Sequence, residues 1–270
     1  MFTSRVPGFR FCFILLVGML PVFASAETWQ HEQGTLSLDK TPQRVIALNW
    51  AATEALLLLG VKPDLIVTSS EMAPAANLLE RIAPTYVVSV YKKGSNPYEK
   101  ASDMLTTLGD MLDREERAAA VLNDINRTLQ TQRRRLENAN LTERPVALVN
   151  FLDDRHVRVY APNGLYQSAL EALGLENAWS QPGNYWGFSV AGLEALAPYQ
   201  DTRIVVIAPT LPGLSDTLAD SPFWTYLPPV QRDQVYQIDP VWPFGGVFPV
   251  KRLATLLADS LIAGGSDNVR

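Results

Sequence analysis

Residues 117–140 read RAAAVLNDINRTLQTQRRRLENAN, inside a stretch between Gly109 and Pro145 that contains no glycine or proline. Apolar residues recur there at three- and four-residue steps or their sum, with charges between them: Ala118, Leu122, Ile125, Leu129 and Leu136. This spacing predicts one amphipathic helix. At 1.5 Å per residue, a helix of about 20 residues is about 30 Å long. Such a helix can join two lobes as a rigid strut.

Strand and helix patterns alternate on both sides of this helix. Before it, strands are predicted at 44–49 (RVIALN), 64–68 and 86–90, with helices at 51–59 and around 77–82. After it, strands are predicted at 146–151, 157–160, 203–208 and 234–238. Asn163 is expected to cap a helix that runs to Leu173, and 250–262 to form a closing helix. The prediction is therefore an α/β protein with two α/β lobes, 27–116 and 141–270, joined by a backbone helix at 117–140. A single doubly wound domain with an ordinary surface helix is the alternative.

The first 26 residues have the features of a cleavable signal peptide. Arg5 and Arg10 precede an apolar run from Phe11 to Leu20, and Ala24-Ser25-Ala26 offers the small residues of a cleavage site. The run is shorter than the roughly 20 residues that a bilayer requires. The only cysteine, Cys12, lies within it, so the mature chain has no thiol for a disulfide or a metal. We therefore expect secretion to the periplasm.

The charge balance of the mature chain limits its partners. The leader holds two arginines and no acid, so 21 of the 23 basic residues and all 28 acidic residues follow it, giving a net charge of −7. That charge argues against nucleic acid or an anionic surface as a partner. A hydrophobic content of 47% with 19% charged residues is typical of a globular protein with a substantial core.

Enzyme signatures are scarce in the sequence. It has no G-x-S-x-G elbow, no phosphate-binding loop and no H-E-x-x-H helix. The two histidines, His31 and His156, stand apart, and His156 is expected at the edge of a strand. Asp153-Asp154-Arg155 resembles a solvated turn more than an acid/base pair. No catalytic residue and no metal ligand is predicted.

Aromatic residues are the most informative feature. Tyr185 and Trp186 stand in 184–187 (NYWG), expected before a helix, and Trp242 stands in 240–245 (PVWPFG), after a strand. Trp50 directly follows the first predicted strand. Ligands of open α/β sheets bind beyond the carboxyl ends of strands, and tryptophan offers a broad apolar face and one donor. These rings are candidates for ligand contact or, alternatively, plugs at the core edge, whereas Trp179 and Trp224 are expected in the core.

Four ordered motifs make the chain recognisable: RVIALNWAATEALLLLGV (44–61), DDRHVRVYAPNGLYQSALEALGLENAW (153–179), NYWGF (184–188) and PVWPFGG (240–246). Together they resemble the periplasmic ferric hydroxamate-binding proteins, over about residues 44 to 262. The resemblance implies a helical-backbone periplasmic binding protein fold, an aromatic cleft for a ferric siderophore, and an inner-membrane ABC permease with its ATPase as partner. Trp186 and Trp242 match the family's ligand-contacting tryptophans, and Phe244 stands where the family often has a ring. No cofactor is implied beyond the bound iron(III)–siderophore, and the protein is expected to be a monomer.

The first lobe departs from the family pattern. Gly60-Val61-Lys62-Pro63-Asp64 joins two segments directly, as if about 35 to 40 residues were absent, which shortens the lobe and removes core area. The absent stretch is where the family carries an arginine that donates to hydroxamate oxygens; Lys92 or Lys93 could replace it. The family's tyrosine in the next loop aligns with Met72. Its permease-docking glutamates align with Asn77, near Glu71 and Glu80, and with Glu194.

Three functions therefore remain open at this stage. The first is siderophore binding for import, with cobalamin, haem and catecholate siderophores as sister ligands. The second is a secreted hydrolase acting on a siderophore or ester. The third is a truncated relative that binds nothing.

Overall fold

The computed structural model describes residues 27–31, 34–38, 60, 64–91 and 93–264. The chain divides into two compact units, residues 1–62 and 63–270. In the first unit, β1 (Glu27–His31) and β2 (Gly34–Leu38) form an antiparallel hairpin with Trp29 opposite Leu36. The predicted leader, the predicted strand at 44–49, the predicted helix at 51–59 and Trp50 lie outside the described residues. No helix among the described residues is long and apolar enough to cross a membrane.

The second unit opens with a small parallel pair of strands. β3 (Ile66–Thr68) pairs with β4 (Thr85–Val87), and the 3₁₀ turn Ser70–Ala75 and helix α1 (Ala76–Leu79) connect them. Both strands are shorter than the predicted 64–68 and 86–90. Pro74 lies within the 3₁₀ turn, and the helix predicted around 77–82 is only one turn long.

Two consecutive helices follow. Helix α2 (Pro97–Met111) was not predicted, although Asn96 caps it by accepting from the Tyr98 N–H at 2.9 Å and Pro97 occupies its first position. Helix α3 (Glu115–Asn138) is the predicted long helix, confirmed at 24 residues, or about 36 Å. Its buried stripe contains four of the five predicted residues, and Leu122 is half-buried beside them.

A five-stranded sheet forms the centre of the second unit. Its strands are β5 (Val146–Phe151), β6 (His156–Tyr160), β7 (Phe188–Gly192), β8 (Arg203–Ile207) and β9 (Val235–Ile238), in the order β7-β6-β5-β8-β9. β5, β8 and β9 are parallel, whereas β6 and β7 add an antiparallel edge. Four of these strands were predicted and β7 was not.

Both faces of the sheet are covered, as continuous apolar strands require. Leu148, Val205 and Ile238 face a core shared with α3, α4 (Leu165–Leu173) and α8 (Phe248–Ala263). Val149 and Val206 face the opposite core, shared with the 3₁₀ turn Leu193–Leu196 and the short helices α5 (Leu214–Ala219), α6 (Pro222–Thr225) and α7 (Pro228–Gln231). Trp179 and Trp224 are buried there, as predicted. The expectation of a mixed α/β fold with one long helix is confirmed.

Candidate ligand-binding site

Six aromatic side chains from separate parts of the second unit meet in one group, called here the aromatic cluster: Tyr91, Tyr185, Trp186, Phe188, Trp242 and Phe244. The Trp186 ring centroid lies 5.4 Å from that of Tyr91, 5.0 Å from that of Tyr185 and 5.4 Å from that of Phe244. Phe244 also contacts Phe188 at 6.1 Å and Trp242 at 5.6 Å. These tilted and edge-to-face arrangements are the ones that aromatic rings favour.

Hydrogen bonds hold the loop that carries Trp186. Asn163 Oδ1 accepts from the Gly183 N–H at 2.8 Å, and its Nδ2 donates to the Asn184 carbonyl at 2.9 Å. Asn184 Oδ1 accepts from the Trp186 N–H at 2.9 Å. The expectation that Asn163 caps α4 is therefore wrong: Gly164 is the N-cap residue, and the amide of Asn163 binds the aromatic loop instead.

The same loop leads into strand β7 and not, as predicted, into a helix. Phe188 begins β7 and pairs with Tyr160, the last residue of β6. The loop therefore stands beside the carboxyl end of β6, an antiparallel strand. Gly187 makes the turn with a φ of +78°, and a Cβ there would lie 2.0 Å from Gly164 Cα, so only glycine fits.

Two tyrosines fix the second aromatic loop, which follows β9. The Tyr166 hydroxyl donates to the Val241 carbonyl at 2.7 Å, and the Tyr91 hydroxyl donates to the Pro243 carbonyl at 3.0 Å. Burial raises the pKa of both phenols well above the usual value, so both remain neutral donors at physiological pH. Trp242, between the two anchored carbonyls, is 67% exposed.

A cavity of about 320 Å³ lies against the aromatic cluster. Tyr91, Tyr185, Trp186 and Phe244 line it on one side. Residues of the β3–β4 region line it on the other: Val67, Thr68, Ser69, Glu71, Val88, Ser89 and Val90. The Ser89 hydroxyl is buried with no hydrogen-bond partner among the described residues, so it can donate to or accept from a ligand.

Tyr185 connects the two sides of this cavity. Its hydroxyl lies 2.8 Å from Glu71 Oε1 and also within hydrogen-bond distance of the Tyr91 carbonyl. The pKa of Glu71 is lowered, first by the Ser69 hydroxyl, then by a backbone N–H and by Tyr185. Glu71 is therefore a carboxylate at neutral pH.

A second cavity of about 660 Å³ shares Tyr91 and Tyr185 as part of its wall. Its other lining includes Asn96, Asn163, Gln167 and Ser168. Two of these groups are already bonded to each other, because the Ser168 hydroxyl donates to Asn96 Oδ1 at 2.9 Å.

The structure brings some of the predicted site residues together. Tyr185, Trp186 and Phe244 line the smaller cavity, and Trp242 joins them through Phe244. Met72 is half-buried, and its neighbour Glu71 lines the cavity instead. Trp50 and Lys92 lie outside the described residues, and Lys93 is exposed on the wall of the larger cavity.

The two predicted docking glutamates are both exposed. Glu80 follows α1, and Glu194 lies on the 3₁₀ turn Leu193–Leu196, with its carboxylate folded over Gly192. Their role in docking stays a prediction. Sequence reasoning missed Tyr91 and Ser89 and named Glu71 only as a neighbour of the docking position. Tyr91 directly follows the predicted strand at 86–90, and Ser89 lies within it.

Asp153, Asp154 and Arg155 lie in the turn between β5 and β6, as expected. His156 begins β6 at the sheet surface, with Nδ1 2.9 Å from Asp153 Oδ2. The backbone N–H groups of Arg155 and His156 also donate to Asp153. Within the described ranges, no group of three or more His, Cys, Asp or Glu side chains is arranged to hold a metal ion.

The second unit thus combines a sheet covered on both faces, a 24-residue helix and a cavity lined by aromatic rings. The chain belongs to the periplasmic binding protein family, whose sequence profile matches residues 38–241. It is 27% identical over 252 residues to the iron(3+)-hydroxamate-binding protein FhuD of Escherichia coli K12. The alignment covers 93% of this chain and 83% of that protein.

Solved structures support the same placement. The Fe³⁺–Desferal-bound siderophore-binding protein FhuD of Vibrio cholerae matches with a TM-score of 0.70 at 25% identity, over 78% of this chain and 79% of its own. FeuA of Bacillus subtilis complexed with ferri-bacillibactin matches with a TM-score of 0.60 at 18% identity, over 77% and 74%, which shows the fold alone. The relatives named here are binding proteins.

Proposed function

We propose that this protein is the periplasmic substrate-binding component of an ABC importer for iron(III)–hydroxamate siderophores. It is exported by the leader at residues 1–26, binds the ferric siderophore against the aromatic cluster, and delivers it to an inner-membrane permease with its ATPase. The observation that carries the proposal is the cluster of six aromatic rings, four of which line one cavity. Membership of the periplasmic binding protein family and the similarity to the two FhuD proteins support it.

The chemistry of the ligand suits this kind of site. A trihydroxamate siderophore already fills the octahedral shell of Fe³⁺ with oxygen atoms, so the protein need not supply metal ligands. It needs apolar surface and a few donors to hydroxamate oxygens. Trp186 and Phe244 supply rings to the cavity wall, Trp242 lies against Phe244, and the Ser89 hydroxyl is a neutral donor in the cavity.

In the proposed function, delivery also requires contact between this protein and the permease. We propose that helix α3 is the backbone of the predicted division into 27–116, 117–140 and 141–270. Glu80 and Glu194, exposed on either side of it in sequence, are the proposed contacts with the permease. A carboxylate on each lobe would give the permease two charged points of attachment.

Binding is tested by titrating the purified mature protein with ferrichrome and ferrioxamine B. We expect saturable quenching of tryptophan fluorescence, and calorimetry should show that Trp186→Ala and Trp242→Ala each weaken binding by about tenfold, since a stacked aromatic contributes about 0.5–1.5 kcal/mol beyond its buried area. Phe223→Ala is the matched control, because Phe223 is 64% exposed but belongs to neither the cluster nor the cavity wall. No binding of either complex up to millimolar concentration would contradict the proposal.

A further inference from the structure

Arg158 differs from the other arginines that the structure describes. Three of them are not exposed: Arg144, Arg158 and Arg203. Arg144 pairs with Asp201 at 2.9 Å, and Arg203 donates to the carbonyls of Leu141 and Arg144. Arg158 forms no ion pair with any described carboxylate. Its Nε, like that of Arg203, is buried without a hydrogen-bond partner among the described residues, but Arg158 has no counterpart to the carbonyl acceptors of Arg203. An unpartnered buried donor is uncommon and calls for a reason.

Aromatic rings hold this guanidinium at the cluster. The guanidinium carbon lies 4.4 Å from the Phe188 ring centroid and 5.9 Å from that of Phe244, within the range of a cation–π contact. A guanidinium stacked on a ring uses its face for the contact and keeps its in-plane N–H groups for acceptors. Phe244 is also part of the wall of the 320 Å³ cavity. The guanidinium therefore lies next to one ring of the cavity wall, although Arg158 itself does not line the cavity.

The sheet register leaves this charge accessible. Arg158 stands directly opposite Val190 on β7, and side chains of such a pair share one face of the sheet. Val190 is 59% exposed, and Arg158 itself is half-buried. The Tyr160 phenol lies beside the guanidinium: burial raises the pKa of Tyr160, and a side-chain hydrogen bond with Arg158, together with the charge of Arg158, opposes that rise. No acid competes with a ligand for this cation among the described residues.

We propose that Arg158 is the charged hydrogen-bond donor of the binding site and that its N–H groups bond to the iron-bound oxygens of a ferric hydroxamate. Each hydroxamate loses a proton when it binds iron(III), so its oxygens carry negative charge and accept charge-assisted hydrogen bonds. This donor lies in the larger lobe, where it takes the place of the first-lobe arginine that the shortened chain lacks. The inference rests on the function proposed above, whose ligand it addresses.

Substitution of Arg158 tests the proposal with ferrichrome as the probe. We expect Arg158→Gln to weaken the calorimetric Kd by about 10- to 100-fold, the range for loss of one charge-assisted hydrogen bond, and Arg158→Lys to recover part of that loss. Arg155→Gln is the matched control, because Arg155 is an exposed arginine in the turn before the same strand, and its Kd should stay within twofold of the wild type. A folded Arg158→Gln protein with a wild-type Kd would overturn the proposal.

A second measurement does not depend on how well the glutamine variant folds. In the wild-type protein, the ¹⁵N side-chain resonance of Arg158, assigned by its loss in Arg158→Lys, should shift when the diamagnetic gallium(III) form of ferrichrome binds. An unchanged resonance at saturating ligand would sink the Arg158 assignment alone, because the binding itself would have been observed. Absence of binding by the wild type would remove both the proposed function and this inference.

Discussion

At the scale of single residues, short polar side chains rather than the rings position the aromatic loop. Asn163 and Asn184 bond to the backbone of residues 183–186, and these bonds are independent of which rings the loop carries. An asparagine before a helix and an asparagine between two loops have the same sequence signature. Asn163 was therefore expected as a cap, and its real partner could be seen only once residues 20 positions away were placed.

Gly187 gives a prediction at this scale. Gly187→Ala should destabilise the protein strongly, because its Cβ would lie 2.0 Å from Gly164 Cα and its φ is +78°. Gly213→Ala is the matched control: its φ is +73°, but nothing lies within 4 Å of an added Cβ. Left-handed strain alone costs about 1–2 kcal/mol, so urea unfolding should show a loss about 2 kcal/mol larger for Gly187→Ala. Equal losses in the two variants would contradict the packing argument.

Which site residues could be predicted from the sequence depended on their residue type. Tyr185, Trp186, Trp242 and Phe244 could be singled out because large rings in loops rich in Gly, Pro and Asn are conspicuous. Tyr91 and Ser89 could not be singled out, because one tyrosine after a predicted strand, or one serine within it, has no distinguishing pattern. Arg158 was also missed, since a charged residue within an alternating strand normally faces solvent.

At the scale of elements, a helix or strand could be predicted from the sequence only where its own residues have a clear apolar pattern. Helix α3 was predictable because its apolar period runs uninterrupted between a glycine and a proline. Strand β7 was not, because Phe188–Gly192 mixes small and apolar residues and ends in glycine. Only its pairing with β6 makes it a strand, and that pairing is not encoded locally.

An ion pair between α3 and α8 gives a pH-dependent prediction. Lys251 of α8 donates to Asp124 of α3, and this bond is the main cause of a lowered Asp124 pKa. A pKa that is lower in the folded state than in the unfolded state stabilises the fold above the unfolded value, about 3.9 for Asp. The stabilisation is lost as the pH falls through the folded pKa.

Asp124→Asn should therefore lower the unfolding temperature at pH 7. The difference from the wild type should shrink as the pH falls below about 3.9 and vanish once the carboxylate is protonated in the folded protein. Thermal melts followed by circular dichroism across this pH range would measure it. Asp103→Asn is the control, because Asp103 pairs with Lys100 within one helix at the surface, where ion pairs contribute little. A difference between Asp124→Asn and the wild type that is constant with pH would contradict the role of the carboxylate.

At the scale of the whole molecule, the motifs identified the family although the contacts among them were unknown. The rings come from positions as distant in sequence as Tyr91 and Phe244, whose centroids lie 6.4 Å apart in the folded chain. Such long-range contacts follow from topology, which a single sequence conveys through resemblance and not through spacing. The separation into two compact units at Lys62 was likewise not predicted.

Ligand binding should stabilise the molecule as a whole. A ligand at about 100 times its Kd adds about 2.7 kcal/mol to the folded state, and 1 kcal/mol raises the unfolding temperature of a protein of this size by about 2–4 °C. Ferrichrome at that ratio should thus raise the unfolding temperature by about 5–10 °C. The same concentration should raise it less in Trp186→Ala. Calorimetric scans that show no shift in the wild type, or equal shifts in both proteins, would contradict this expectation.

The anchoring of the second aromatic loop has a consequence for how such a protein can change. Tyr166 and Tyr91 bind the loop through the carbonyls of Val241 and Pro243, atoms that every amino acid possesses. The side chain at 242 can therefore be replaced while the backbone keeps its course. Under the proposed function, substitution there should change ligand binding more than folding, so the ligand preference could change by single substitutions that each leave a folded protein.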